Sequence, residues 1–368
     1  MRISYIANTR ALGGAERYLL TLADGLTDCH CRVYMPESPA ARDFASRSTR
    51  VEIDALPTDG YSLRPTSLIR SMWLYKGFAE GIIHFNLSHP CASTVDAVAA
   101  KLVSRCPIVV TTHLPTIAAS RREGFSARVA LEAADHIITV CRSARDYIID
   151  QGIFGGKVTA IYNGISDWQT PESVAAELRA EIEATPENVI IGAVARLEAQ
   201  KGLDILLNAF AALTPRYPQA LLVIIGEGGE EAKLKRIADE AGVAGKVRFL
   251  GWRDDSRDLM SIFDVFASPS LFESFPFTVV EAMMAGKPVV ASDVGGVGEA
   301  VIHEETGLLI RPGSVQTLTQ AMSSMLDSKD QRSRMGDLAR RKALEQFSSE
   351  SMVRATHDLY LGILSGSG

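Results

Sequence analysis

The chain has 368 residues, 46% hydrophobic and 22% charged, which is long for a single core and points to two soluble globular domains. No apolar run approaches the roughly 20 residues of a bilayer-spanning helix. The N-terminal "MRISYIANTR" also lacks an apolar h-region, so no secretory signal is expected. The net charge of −6 gives no reason to expect nucleic acid as a partner. Residues 1–168 nevertheless hold 18 basic against 16 acidic side chains, so weak peripheral contact with anionic lipid would fall to this half. Cys29, Cys31, Cys91, Cys106 and Cys141 form no C-x-x-C pair, which predicts reduced thiols in a cytoplasmic protein.

Short β-rich apolar runs alternate with helical patterns, twice over. The first series is "RISYIA", "RVYM", "VEID", "IIHF", "IVVTT", "HIITV" and "VTAIY". The second is "VIIGAV", "LLVIIG", "VRFL", "VFASP", "PVVAS" and "GLLI". Between the first two runs, Ala15, Leu19, Leu22, Ala23 and Leu26 fall on one helical face. Near-continuous apolar strands separated by helices predict parallel sheets covered on both sides. The expected fold is therefore α/β, with two doubly wound Rossmann-like domains facing a central cleft. Turn residues and prolines in "NGISDWQTPESVAAELRAEIEATPEN" mark the junction. We read residues 1–168 as the first domain, 169–345 as the second, and 346–368 as a terminal helix that either caps its own domain or crosses back.

In such sheets ligands bind beyond the carboxyl ends of the strands, and four stretches there carry chemistry. In "IANTRALGGAERYLL", Gly13 and Gly14 let backbone approach a ligand just before a helix N-terminus, or simply make a tight turn. In "IIGAVARLEAQKGLDIL", Arg196 and Lys201 follow a strand and are suited to a diphosphate, one as a fork and one as a point charge. "LLVIIGEGGEEAKL" offers Gly226 and Gly228 but has Glu231 where a dinucleotide fingerprint needs its third glycine, and its glutamates oppose a pyrophosphate. In "SLFESFPFTVVEAMMAGKPVVASDVGG", Pro276 predicts a helix start, with Glu273 in the loop before it and Glu281 inside it. The amides of Phe277 and Thr278 then face an anion. Glu281 stands among apolar neighbours and needs a specific partner. No D-x-D pair offers a metal site.

The Glu273-x7-Glu281 spacing, followed by "AMMAGKPVVASDVGGVGEAV" and "ETGLLI", resembles the signature of retaining glycosyltransferases of family 4. "GGAERYLLTLADGL", "TTHLP", "IYNGIS", "VARLEAQKG" and "FLGW" extend the resemblance over nearly the whole chain. It implies a GT-B fold, a nucleotide-sugar donor (UDP-linked), and transfer to a hydroxyl acceptor with retention, without a cofactor or a metal. Arg196 and Lys201 would neutralise the donor diphosphate, Glu281 would bind the ribose, and Glu273 would lie against the sugar. Phe277 and Thr278 amides would hold phosphate and sugar, and backbone around Arg253 would meet the base. Gly226 would line the donor site, Gly13 and Gly14 would close over the phosphates, and His113 would sit by the sugar or acceptor. Unassisted, His113 reads as an ordinary hydrogen-bonded residue at a strand end.

The chain departs from the family pattern at Ser166, Ala195, Ser274 and Pro276, the last removing an amide that relatives can use on the sugar. Acceptor contacts would come from residues 10–15, 60–75, 86–91 and 113–125. "SLIRSMWLYKGF" reads as an acceptor-pocket wall rather than an interfacial helix. A lipid-linked glycan, a natural product and a small metabolite are all open as acceptors. The competing readings are a sugar-nucleotide epimerase or phosphorylase of the same fold, and an inactive nucleotide-sugar-binding subunit of a glycan assembly complex.

Overall fold

The structure, a computed structural model, describes residues 1–9, 13–48, 50–56, 65–78, 80–88, 93–114 and 121–366. The chain forms two units, Met1–Gly164 together with Ser348–Gly368, and Ile165–Phe347. The sequence reading placed the junctions at 168 and 345, and hydrogen bonding explains why both move. Ile165 N–H donates to Phe347 O (2.9 Å), and Arg340 donates to the Asp167 carboxylate (3.0 Å). Residues 165–168 are thereby tied to the second unit.

The first unit's sheet has seven parallel strands: β1 (Arg2–Ile6), β2 (His30–Met35), β3 (Glu52–Ala55), β4 (Ile82–Leu87), β5 (Ile108–Thr112), β6 (His136–Thr139) and β7 (Val158–Ala160). Their order is β3-β2-β1-β4-β5-β6-β7. β4, β5 and β6 are buried along their whole length. That is why they read as unbroken apolar runs rather than as alternation. The second sheet has β8 (Val189–Val194), β9 (Ala220–Ile225), β10 (Val247–Phe249), β11 (Val265–Ser268), β12 (Val289–Ser292) and β13 (Gly307–Ile310), in the order β10-β9-β8-β11-β12-β13. Each sheet therefore reverses its winding once, at β1/β4 and at β8/β11.

The second unit's core packs Ile191, Leu206, Phe210, Leu222, Val265, Val290 and Met322 together. Each such side chain contributes roughly 1.5–3 kcal/mol on burial. The helix Phe277–Met284 is apolar on every side, with Val279, Val280, Ala282, Met283 and Met284 all buried. It lies on the helix Lys329–Gln346 and is a core helix that happens to carry one carboxylate. Pro276, in extended conformation, is its N-cap, so the helix starts at Phe277, one residue later than expected.

The last helix, Ser349–Ser365, packs on the helix Gly14–Gly25 of the first unit. It delivers Tyr360 into the interior, where its hydroxyl meets Tyr5 Oη (3.2 Å) and His84 Nδ1. His84 Nε2 in turn bonds Thr111 Oγ1 (2.7 Å). Burial, reinforced by nearby His113, pushes the His84 pKa from 6.5 down to about 3. The helix Pro65–Lys76 buries Tyr75 and Ser71 and turns Ile69 and Trp73 outward, Trp73 being 75% exposed.

In the unfolded chain His84 takes up a proton near pH 6.5, in the folded chain only near 3. The stability that neutral His84 contributes is therefore fully present above about pH 6.5 and is lost at about 1.4 kcal/mol per pH unit as pH falls toward 3. Amide-exchange protection of β4 and β5 at pH 7.5, 6 and 5 checks this, and undiminished protection at pH 5 would contradict it.

Candidate functional site

Lys201 and Glu273 lie in loops that leave β8 and β11, the two strands at the second sheet's winding reversal. The loops are knit by backbone and amide bonds: Leu271 N–H donates to Gln200 O (2.8 Å) and Gln200 Nε2 to Phe272 O (2.7 Å). This brings Lys201 Nζ to 2.6 Å from Glu273 Oε1, which also accepts from Ser270 Oγ (2.8 Å). The pair is mostly buried, with Glu273 8% exposed. On its other side Gly295 has φ +52°, and a Cβ there would stand 1.9 Å from Glu273 O, so only glycine admits this approach. Both recorded donors fall on Oε1. Among the described residues Oε2 receives none, which leaves it able to accept from a substrate hydroxyl.

The β8 loop also interlocks with two further loops, those after β9 and β10. Leu197 N–H donates to Glu227 O (2.8 Å), Glu230 N–H to Leu197 O (2.9 Å) and Gly226 N–H to Gly251 O (2.8 Å). Gly226, at φ +132°, lets Ala195 O approach to 2.0 Å of where a Cβ would be. Gly226 and Gly228 of "GEGG" thus serve loop-to-loop packing, the latter against Leu197 O, which accounts for a near-fingerprint without dinucleotide chemistry. Arg196 projects to solvent, with Nη1 2.5 Å from Glu198 Oε1, an exposed pair that contributes little to stability. Arg253 is committed to Asp255 and Glu181, whose hydrogen bonds raise its pKa. The large exposed side chain of this segment is Trp252, whose backbone N–H donates to Glu227 Oε1 (3.3 Å).

Glu281 is 1% exposed and accepts from Arg257 Nε at Oε1 (3.1 Å). The Arg257 guanidinium lies 5.0 Å over the Trp168 ring. Neither Arg257 nor Trp168 belongs to a motif, and the sequence reading missed both. Phe277 and Thr278 open the helix after Pro276, where helical N–H groups lack intrahelical partners.

Gly13, Gly14 and His113 belong to the first unit, around its own reversal. Gly13 is the N-cap of the helix Gly14–Gly25, and its N–H donates to Glu16 Oε2 (2.8 Å). Asn86, at the end of β4, joins this turn to His113. Its Nδ2 donates to Ala15 O (3.0 Å), so its Oδ1 faces His113 Nε2 (2.9 Å). Because Oδ1 only accepts, His113 carries its proton on Nε2. Burial holds its pKa near 3, so the ring is neutral, edge-on to Tyr18. Asn86 opens the 86–91 stretch expected to meet the acceptor, but its bridging role was not foreseen. Within the expected acceptor loops, residues 10–12, 60–64, 89–91 and 115–120 lie outside the described residues, as does Cys91.

Of the residues expected from sequence, Lys201 and Glu273 touch, Gly226 packs on the Arg196 loop, and Asn86 bridges the Gly13–Gly14 turn to His113. Glu281 and Arg253 instead take partners that were not foreseen. Among the described residues no group of three His, Cys, Asp or Glu side chains is arranged to hold a metal ion.

Two family models match the chain, "Glycosyltransferase Family 4" over residues 12–168 and "Glycosyl transferases group 1" over residues 174–342, which together take in most of it. An uncharacterised glycosyltransferase of Methanocaldococcus jannaschii is 31% identical over 61% of this chain and 59% of its own length. A glycogen synthase of Mycobacterium tuberculosis is 32% identical over 63% of this chain and 55% of its own. The chain thus spans less than two thirds of these curated relatives. Anabaena HepE, solved with UDP, superposes with a TM-score of 0.85 at 25% identity, covering 98% of this chain and 99% of that one. The chain belongs to the family 4 type of glycosyltransferases and has the GT-B fold of two Rossmann-like units.

Proposed function

We propose that the protein is a retaining hexosyltransferase that moves a sugar from a UDP-linked donor to a hydroxyl acceptor, forming an α-glycosidic bond. The observation that carries this reading is the Lys201–Glu273–Ser270 cluster at the β8/β11 reversal. A cation and a carboxylate held there can serve the diphosphate and the sugar of one donor. The likeness to Anabaena HepE, solved with UDP and also with UDP-glucose, supports the uridine donor.

In the reaction the bond between the anomeric carbon and the diphosphate oxygen breaks, and its electron pair leaves with the diphosphate. The acceptor oxygen bonds the same face of that carbon, and its proton passes to a leaving-phosphate oxygen. Lys201 and Arg196 stabilise the charge that grows on the diphosphate, the largest contribution a preorganised site makes. Glu273 receives a sugar hydroxyl on Oε2, and Glu281 receives the ribose. The Phe277 and Thr278 amides hold phosphate and sugar, while Gly226 and the backbone at Arg253 border the base. Gly13, Gly14 and neutral His113 serve the sugar and acceptor side, with His113 acting through hydrogen bonds, since its low pKa excludes an acid role near neutrality. Cations doing a metal's work make the reaction metal-independent.

No described helix is long and apolar enough to cross a membrane. We place the protein in the cytoplasm, with weak membrane contact through the first unit. Exposed Trp73 and Ile69 beside Arg70 favour this over an acceptor-pocket role for that helix face. Trp73 emission should then shift to the blue with anionic vesicles and stay put with zwitterionic ones.

Incubated with a panel of nucleotide sugars and hydroxyl acceptors, the protein should release UDP and yield a glycoside visible by mass spectrometry, equally well in EDTA. Loss of product in EDTA would reveal a metal requirement. Lys201→Ala should lower turnover about a hundredfold or more while leaving the circular dichroism spectrum unchanged. Undiminished turnover would refute the assignment of Lys201.

A further inference from the structure

Glu281 is the one charged residue in a helix whose neighbours Val279, Val280, Ala282, Met283 and Met284 are all buried. An ionised carboxylate in such surroundings is costly unless paired and hydrogen-bonded. The recorded charge partner is Arg257, from the short helix Ser256–Ser261, and its placement is tightly constrained. Its guanidinium stacks on Trp168, and Thr170 Oγ1, two residues further on, donates to Asp258 Oδ1 (2.8 Å). The segment 168–170 thus fixes both the side chain and the helix that bears it. Arg257 spends only Nε on Glu281. Among the described residues Nη1 and Nη2 meet no acceptor, and the side chain is 36% exposed against 2% for Glu281. The result is a buried carboxylate under a half-exposed rim of N–H donors.

That combination matches a vicinal diol, whose hydroxyls donate to a carboxylate and accept from a guanidinium. We infer that Arg257 is a positioning residue that orients Glu281 toward the ribose 2′,3′-diol and makes the site select ribonucleotides over 2′-deoxyribonucleotides. The inference rests on the donor reading given above. A residue that merely neutralised Glu281 would be replaceable by any cation. Orientation through Nε with the Nη groups free needs the guanidinium itself, because lysine is a point charge without the fork.

Calorimetric titration of UDP and 2′-deoxy-UDP into the full-length protein and into Arg257→Lys and Arg257→Met separates these roles. The wild-type protein should prefer UDP by about tenfold or more, the worth of one hydrogen bond to a charged group. Arg257→Lys keeps a cation beside Glu281 and so should fold, yet should lose most of that preference. Arg257→Met, which keeps a side chain of similar length without the guanidinium, should lose it too. Full preference in Arg257→Lys would overturn the positioning role while leaving the donor reading intact. Failure of the folded wild-type protein to bind UDP would overturn both.

Discussion

Within each sheet every strand is parallel to its neighbours, so each sheet gathers its strand-to-helix loops on one edge. Where the winding reverses, the loops after the two adjacent strands diverge to opposite faces and leave room between them. The β8/β11 reversal is the constraint on which the second unit's chemistry depends. It sets Lys201 and Glu273 across from each other although 72 residues separate them in the chain. The first unit repeats the device at β1/β4, with Asn86 reaching from the end of β4 to Ala15 past β1. Two halves built on one plan thus present polar side chains at equivalent places for different partners.

The buried carboxylates and histidines of these sites are tied down by specific partners. Glu273 accepts two hydrogen bonds and Glu281 takes a guanidinium, while His84 and His113 remain neutral between hydroxyl and amide partners. The consequence is rigidity at the places where chemistry needs it. A carboxylate fixed by lysine and serine on one oxygen presents its other oxygen in a set direction, and a histidine fixed by an asparagine presents a set tautomer. Preorganisation of this kind is inherited from the requirement to satisfy buried polar atoms.

Much of this was legible in the residues. The thirteen apolar runs became the thirteen strands of the described residues; the clearest of them, such as β5, β6, β9 and β12, are covered on both faces, while the edge strand β3 is not buried and showed only a weak run. Glu281 could be flagged because a carboxylate inside "TVVEAMM" has no solvent side to face. What stayed hidden is non-local. Nothing in "SRDLM" announces that Arg257 will lie under Trp168 and over Glu281, since the pairing arises from how two short segments dock. Tyr360 likewise sits in an ordinary amphipathic pattern, which states that one face is buried but not against which unit. The junctions shifted for the same reason, as composition marks where regular structure stops and not which core the connecting residues join.

The last helix has a further consequence, for biosynthesis. The first unit is closed by Tyr360, from a helix separated from residues 1–164 by the entire second unit. A ribosome delivers the seven-stranded sheet early and the helix that seals it late. The second unit, continuous in sequence, has all its residues in hand before the first one does. Until that helix arrives, Tyr5 and His84 lack the hydroxyl that joins them, and the helix Gly14–Gly25 shows an open apolar face. Order of synthesis and order of completion are therefore inverted: the unit begun first is the one whose residues are complete last.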